Sequence, residues 1–309
     1  MSAKTLSAEL QRWLPPRPRL VIALSGGPDS VYLAEQLALL LPKEDLTVAH
    51  FDHRLRAESG EDATFCRAWA EKQGIDYVQE EWAHPRHSEG EARTARLAFL
   101  QRVAAEQSAD AIALGTHGDD EAETMMFRFV RGSGIAGLSG IRPFDAQTRL
   151  LRPLLGLTKA EILKHLHQHD IAYRLDATNT ENGYARNYLR NRVFPLLEAK
   201  FPGCALRLRR QAQVFRLADD YLQQQAADFL RTQKQPQSGE VRIERKAFAA
   251  LAPIVQLEVL RRAVAPQAPD LEVMLELQAF LEQAAPGKYK VIGDVEFAVY
   301  SEYCFVRRP

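Results

Sequence analysis

The sequence predicts an α/β fold built on a parallel sheet, followed by a smaller, mainly helical C-terminal domain that ends in a β-hairpin. Three observations carry that expectation. Short apolar runs at 20–24, 46–51, 77–79 and 111–114 alternate with stretches of helical periodicity. Three polar clusters, at 25–30, 52–56 and 116–124, follow such runs directly. In parallel sheets with right-handed crossovers, ligands gather beyond the carboxyl ends of the strands, so these clusters converge on one edge. Beyond Phe201-Pro202-Gly203 the pattern turns to amphipathic helices and then to a Gly293-Asp294 hairpin signal between strand-like runs.

Taken in order, residues 1–19 read as a short amphipathic helix stopped by Pro15, Pro16 and Pro18. The strand at 20–24 runs into Ser25-Gly26-Gly27-Pro28-Asp29-Ser30. Leu33, Leu37, Leu40 and Leu41 then repeat at helical spacing up to Pro42. A second strand covers 46–51, a helix Ser59 to Gln73, a weaker strand 77–79, and a long helix Glu89 to Glu106. A fourth strand at 111–114 leads to a helix from about Glu121 to Arg131, and the glycine-rich 131–140 reads as a linker or a substrate loop. A helix covers Thr158 to about His169, and 171–185 are polar and irregular. The expected division is a catalytic domain over 1–200 and a second domain over 201–309. In the second, Leu206 to Leu230, Phe248 to Val264 and Leu271 to Gln283 read as helices.

Composition bounds the chemistry. The 309 residues carry 40 basic and 40 acidic side chains, so global charge points to no polyanionic partner. Locally the balance differs: between 186 and 216 eight Arg and Lys face Glu198 alone, a net +7 that suits phosphates or simply a solvated helix face. The N-terminus lacks the apolar core of a secretory signal, and no stretch reaches the roughly 18 apolar residues of a membrane span. Cys66, Cys204 and Cys304 lie far apart with no C-x-x-C, which argues against a disulfide framework or a cysteine-held metal. A cytoplasmic location is expected.

The first polar cluster is a strand-to-helix turn with two glycines. Such a turn presents unpaired N–H groups and a positive helix end, and it serves either as a phosphate nest or as ordinary turn-and-cap chemistry. Neither a Gly-x-x-x-x-Gly-Lys-Ser/Thr loop nor a Gly-x-Gly-x-x-Gly is present in it. Asp29, Asp119, Asp120 and Glu123 are the acids expected near phosphates, with Asp29 and Asp120 as Mg²⁺ ligands. Asp119 reads equally as an N-cap. Asp120 and Glu123 are three apart and share a helix face, as do Arg93 and Arg96. His117 is either catalytic or a hydrogen-bonded buried histidine; His50 and His53 are less informative.

Five blocks carry a resemblance. They are 24–30; His50-Phe51-Asp52-His53-Arg54-Leu55-Arg56; Glu91-Ala92-Arg93-Thr94-Ala95-Arg96; 117–124 continuing to Arg131-Gly132-Ser133-Gly134; and Asp176-Ala177-Thr178-Asn179 with Arg186-Asn187-Tyr188-Leu189-Arg190. In that order they resemble the tRNA(Ile)-lysidine synthetases, a branch of the N-type ATP pyrophosphatases of the PP-loop family. Leu97 stands where those proteins usually have an aromatic residue, and Thr116 where a histidine is common. Longer members continue into another tRNA-binding domain, so here the first C-terminal domain and the basic segment are expected to suffice.

The resemblance implies a Rossmann-like ATP pyrophosphatase domain and a C–N ligase. It implies that ATP adenylates the wobble cytidine of a CAU-anticodon tRNA(Ile) at O2, releasing pyrophosphate. Free L-lysine then attacks C2 and AMP leaves. The lysidine formed reads AUA instead of AUG, and charging changes from Met to Ile. Ser25, Gly26, Gly27, Pro28, Asp29, Ser30 and His53 are expected at ATP, and Asp29, His117, Asp120 and Glu123 at the chemistry. Arg93, Arg96, Arg186, Asn187 and Arg190 are expected at lysine and RNA, with Mg²⁺ as the metal. No membrane and no obligate protein partner are implied. Rival readings are a thiolating relative, which needs cysteines, an ammonia-dependent synthetase, which needs a glutaminase, and a nucleotide-binding module without catalysis.

Overall fold

The structure is a computed structural model that describes residues 3–54, 59–83, 89–175, 185–233, 240–265 and 269–307. Leu55, Arg56 and 176–179 of the sequence blocks, and most of the polar link at 233–240, lie outside them. The chain divides into two compact units, one of Met1–Arg131 with Gly140–Ala212, the other of Gly132–Ser139 with Gln213–Pro309.

In the first unit the elements are α1 (Ala3–Trp13), β1 (Leu20–Ala23), α2 (Pro28–Leu40), β2 (Leu46–Asp52), α3 (Ser59–Gln73) and β3 (Asp76–Glu81). They continue with α4 (Glu89–Glu106), β4 (Ala111–Ala113) and α5 (Gly118–Val130). The sheet has the order β3-β2-β1-β4, extended by two short strands, β6 (Leu150–Leu151) and β5 (Phe144–Asp145). All neighbours are parallel except β5 and β6. Strand order reverses at β1, with β2 on one side and β4 on the other. The turns after β1 and β4 therefore flank a switch point, where open α/β sheets bind ligands.

Alternation along the strands explains the layers. Leu20 and Ile22 of β1 pack into a core with Val31, Leu33 and Leu37 of α2 and Trp69 of α3. Leu166 of α7 (Lys159–Gln168) joins them. Val21 faces the other way, onto Phe99, Leu100 and Val103 of α4. The strands β1, β2 and β4 are buried on both faces; β1 and β4 are apolar throughout, while β2 also buries Thr47, His50 and Asp52.

Beyond α7 come a one-turn helix α8 (Ala185–Tyr188), a π-helical segment at Leu189–Val193 and α9 (Phe194–Lys200). The chain turns at Phe201-Pro202-Gly203, where Gly203 has φ +77, and enters α10 (Cys204–Thr232). The border between the units falls inside α10, at Ala212.

The second unit holds α6 (Ile135–Leu138) within the glycine-rich stretch. It also holds β7 (Val241–Glu244), α11 (Arg245–Ala249), α12 (Pro253–Val264), α13 (Leu271–Gln283), β8 (Tyr289–Ile292), β9 (Val295–Val299) and β10 (Tyr303–Arg307). Its core joins Phe229 of α10, Val259 and Leu260 of α12, Leu277 of α13 and Phe297 of β9.

Two expectations are corrected here, the helix over 248–264 and the start of α5, and the others are extended. The terminal hairpin, β8–β9 around Gly293-Asp294, belongs to a four-stranded antiparallel sheet, β7-β10-β9-β8. The helix expected over 248–264 is two helices, because Pro253 starts α12 and forces Ala252 out of the helical region (φ −58, ψ 140). Strands β5 and β6 have two residues each, too few to show a period. Helix α5 begins at Gly118, not Glu121, because His117 caps it.

Candidate active site

The turn after β1 is a closed network of hydrogen bonds. Gly26 takes φ +83, a conformation that glycine adopts without strain and that side chains rarely do. Gly27 is the N-cap of α2 and Pro28 occupies its first turn, where a missing N–H costs nothing. The Ser25 amide donates to Ser30 Oγ (3.1 Å), and Ser30 Oγ donates to the Gly27 carbonyl (2.9 Å). Ser30 is only 6% exposed, so its hydroxyl shapes the turn from inside, whereas Ser25 is exposed at the mouth. His50 on β2 braces the base of the turn through Nδ1 and the Leu24 carbonyl (2.8 Å); burial pushes its pKa down, keeping the ring neutral.

The turn after β4 comes close beside it. A Cβ on Gly115 would lie 2.8 Å from the Asp29 carbonyl carbon and 2.9 Å from the Ser30 amide nitrogen, so only glycine fits. Two residues on, His117 starts α5. Its Nδ1 accepts from the Asp119 amide (3.2 Å), and its own amide donates to Asp120 Oδ2 (3.0 Å). With Nδ1 accepting, Nε2 is the ring nitrogen left to face the acids. That atom faces Asp29 Oδ1 at 3.8 Å and Asp120 Oδ2 at 3.5 Å. His117 is 4% exposed, and its Nε2 lies between the two acids without a hydrogen bond to either. The Asp119 carboxylate accepts from the Lys159 amide (2.8 Å) and so ties α5 to the start of α7.

On the same helix Asp120 and Glu123 share one cation. Arg190 donates through Nε to Glu123 Oε1 (2.6 Å) and through Nη2 to Glu123 Oε2 (2.7 Å) and Asp120 Oδ1 (2.9 Å). Glu123 is 5% exposed, and burial raises its pKa above the ordinary carboxylate value even with Arg190 opposing. Arg190 lies in the π-helical segment, a feature that recurs at functional sites. Arg186 and Asn187 are half-buried on α8. His53, just past the end of β2, is edge-on to Phe51 (4.9 Å) and Trp82 (6.2 Å). On α4, Arg93 is exposed while Arg96 is deeply placed, its Nε buried with no hydrogen-bond partner among the described residues.

Sequence reasoning missed Lys159. Its ammonium holds both oxygens of Asp29, at 2.8 and 2.7 Å. A readable signal existed: Thr158 and Glu161 form a capping box, which puts a cation in the first turn of α7, against the helix dipole. Arg209, in the basic segment, is engaged within the first unit. It donates to the Leu155 carbonyl (2.6 Å) and lies over Gly118, where a Cβ would meet its guanidinium.

Residues 2–197 match the family model of the PP-loop domain. The chain belongs to that family. Among curated relatives, it is 40% identical over 215 residues to a tRNA(Ile)-lysidine synthase of Geobacter sulfurreducens, covering 66% of this chain and 45% of the relative. It is 37% identical over 256 residues to that of Solibacter usitatus, covering 82% and 58%, and 32% identical over 224 residues to that of Bacillus subtilis, covering 68% and 47%. The chain thus spans about half the length of the curated relatives it matches. A solved U34-tRNA thiolase, NcsA of Methanococcus maripaludis, has TM-score 0.57 at 17% identity over 69% of this chain and 78% of that one; it shares the fold. Among the described residues no helix is long and apolar enough to cross a membrane.

Proposed function

We propose that this protein uses ATP to attach lysine to the wobble cytidine of a CAU-anticodon tRNA(Ile), giving lysidine, AMP and pyrophosphate. The observation that carries this reading is His117, whose Nε2 faces Asp29 on the phosphate turn and Asp120 on the helix of the acid pair. One site thereby joins a nest for pyrophosphate to carboxylates suited to an incoming amine. The lysidine synthase relatives support the same choice of substrates.

The chemistry has two steps. Cytosine O2 attacks the α-phosphorus of ATP; the O–P bond forms and pyrophosphate leaves. The lysine ε-amine then attacks C2, the C2–O bond breaks, and AMP carries the oxygen away. The turn at 25–30 would hold the leaving pyrophosphate, with Lys159 beside Asp29 offsetting its charge. Lysine's ammonium, with a free pKa near ~10.4, must lose a proton before attack. Glu123, buried and raised in pKa, suits that transfer, and Asp120 would orient the amine.

Among the described residues no three His, Cys, Asp or Glu gather as a metal cage. A pair of carboxylates fits Mg²⁺ better, since that ion keeps waters and takes phosphate oxygens. Asp29 and Asp120, on either side of His117, are that pair. When bound, the ion would neutralise charge on the phosphates.

In this reading 1–200 form the catalytic domain, and 201–309 contact tRNA with the basic segment. Thiolation is disfavoured by the cysteine nearest the turn: Cys66 is fully buried, and burial pushes its thiol up to about 12. The test is transfer of labelled lysine to unmodified tRNA(Ile)(CAU) with ATP. ATP binding without any lysine transfer would defeat the proposal.

A further inference from the structure

Past α7 the chain returns to the turn after β1. Ile171 donates its amide to the Leu166 carbonyl (2.9 Å), and the side chains of Ile171 and Tyr173 pack onto the core beneath α2 and α7. Arg174, the next residue, meets the turn in two ways. Its amide donates to the Gly26 carbonyl (2.9 Å). Its stem then runs beside Gly26, where an added Cβ would sit 3.4 Å from Arg174 Cγ. The guanidinium ends on the first turn of α3: Nε donates to Asp62 Oδ1 (3.1 Å) and Nη2 to Glu61 Oε2 (2.6 Å). The Asp62 side chain is 13% exposed, so this end of the clamp is shielded from water.

The bond to Gly26 decides which way one peptide faces. A trans peptide is planar, with its C=O and N–H pointing in opposite directions. With the Gly26 carbonyl taken by Arg174, the Gly27 N–H points the other way, toward Ser25 Oγ at the exposed mouth of the turn. That contact is long, 3.4 Å, and leaves the donor open to a stronger acceptor such as a phosphate oxygen. Gly26, at φ +83, has no side chain to resist a flip of this peptide, and the strap supplies the resistance. The same guanidinium neutralises two carboxylates set within one arginine's length of the turn, which would otherwise repel a polyphosphate.

We infer that Arg174 is a positioning residue for ATP: clamped by Glu61 and Asp62, it holds the Gly26–Gly27 peptide with its N–H toward the pyrophosphate. The inference deepens the reading of this turn as the pyrophosphate nest and rests on it. Arg174 touches no phosphate in this role and acts through the turn alone.

ATP affinity is measured by titration of the whole chain, and KM for ATP and for lysine in tRNA-dependent turnover. The proteins are wild type, Arg174→Met, Arg174→Lys, Asp62→Asn and the double variant Arg174→Met/Asp62→Asn. Arg174→Met should weaken ATP binding about tenfold, the scale of a lost charge-assisted hydrogen bond, and leave KM for lysine unchanged. Arg174→Lys keeps the charge without the fork and should recover part of the loss. Asp62→Asn should weaken ATP by less, because Glu61 remains. The double variant should be no weaker than Arg174→Met, since both changes break one clamp. Unchanged ATP affinity in Arg174→Met, or additive losses in the double variant, overturns the inference. So does tighter ATP binding by Asp62→Asn, which would mean that a freed Arg174 grips phosphate directly. So does an equal rise in both KM values with a lower melting temperature, the mark of a general loss of structure. If Arg174→Met does not fold, Asp62→Asn decides: weaker ATP binding supports the inference, unchanged or tighter binding overturns it. A wild type that binds no ATP would instead defeat the reading of the turn itself.

Discussion

Lys159 holds both carboxylate oxygens of Asp29, at 2.8 and 2.7 Å, across 130 residues of sequence. The contact ties the N-terminal turn of α7 to the turn after β1. It sets a fixed cation beside the place where pyrophosphate would leave.

Replacing that cation should cost catalysis more than stability. Both side chains are partly exposed, and such pairs contribute at most about 1 kcal/mol to folding. Lys159→Met should slow tRNA-dependent pyrophosphate release by about a hundredfold or more, the effect of removing a preorganised charge from a developing anion. Asp29→Ala should do the same. A coupled pyrophosphate assay, with thermal unfolding as control, checks both; near-normal release would make the pair a turn ornament.

Arg190 opposes the burial of Glu123, so Arg190→Met leaves a buried carboxylate with less compensation. A carboxyl whose folded pKa is raised loses no stability below its unfolded value of ~4.3 and loses it progressively as pH rises above that. The deficit of the variant should therefore be small near pH 4 and grow to about 3 kcal/mol at neutral pH. Urea unfolding across that range measures it. A deficit independent of pH would contradict this account of Glu123.

Gly115→Ala should be far more harmful than Gly156→Ala. At Gly115 the new Cβ meets the backbone of Asp29 and Ser30 within 2.9 Å, whereas nothing lies within 4 Å at Gly156. Overpacking of this kind costs about 1–3 kcal/mol and would also displace the phosphate turn. ATP affinity and melting temperature should fall together for Gly115→Ala and stay unchanged for Gly156→Ala.

The basic segment separates into two kinds of arginine. Arg210 is exposed and Arg207 donates to the local carbonyls of Phe201 and Pro202, while Arg209 braces Leu155 and lies over Gly118 inside the first unit. Replacing Arg207 and Arg210 by Ala should weaken tRNA binding and reduce its salt slope by about 2, one released counterion per lost contact. Arg209→Ala should impair the site directly. Filter binding at several salt concentrations distinguishes them.

The parallel sheet was legible because β1, β2 and β4 are buried on both faces and are apolar or nearly so, with Thr47 and His50 the breaks in β2 before its terminal Asp52. The strand-to-helix turn at 25–30 was legible because two glycines and a proline punctuate it. The pairs that build the site were not. Lys159 with Asp29, and Arg190 with Asp120 and Glu123, join residues 130, 70 and 67 positions apart, and no local period reports such contacts. His117 escaped as a cap because histidine is not among the usual capping residues. Strands β7 and β10 escaped because each is short and acquires its meaning only from the other, as the register Tyr303↔Glu244 to Val306↔Val241 shows.

The most direct test compares two tRNAs that differ only at the wobble base. With labelled lysine, ATP and tRNA(Ile)(CAU), the account predicts one lysine attached per AMP and pyrophosphate formed. It predicts none when that cytidine is replaced by uridine. Equal transfer to both tRNAs, or AMP and pyrophosphate formation without attached lysine, would contradict it.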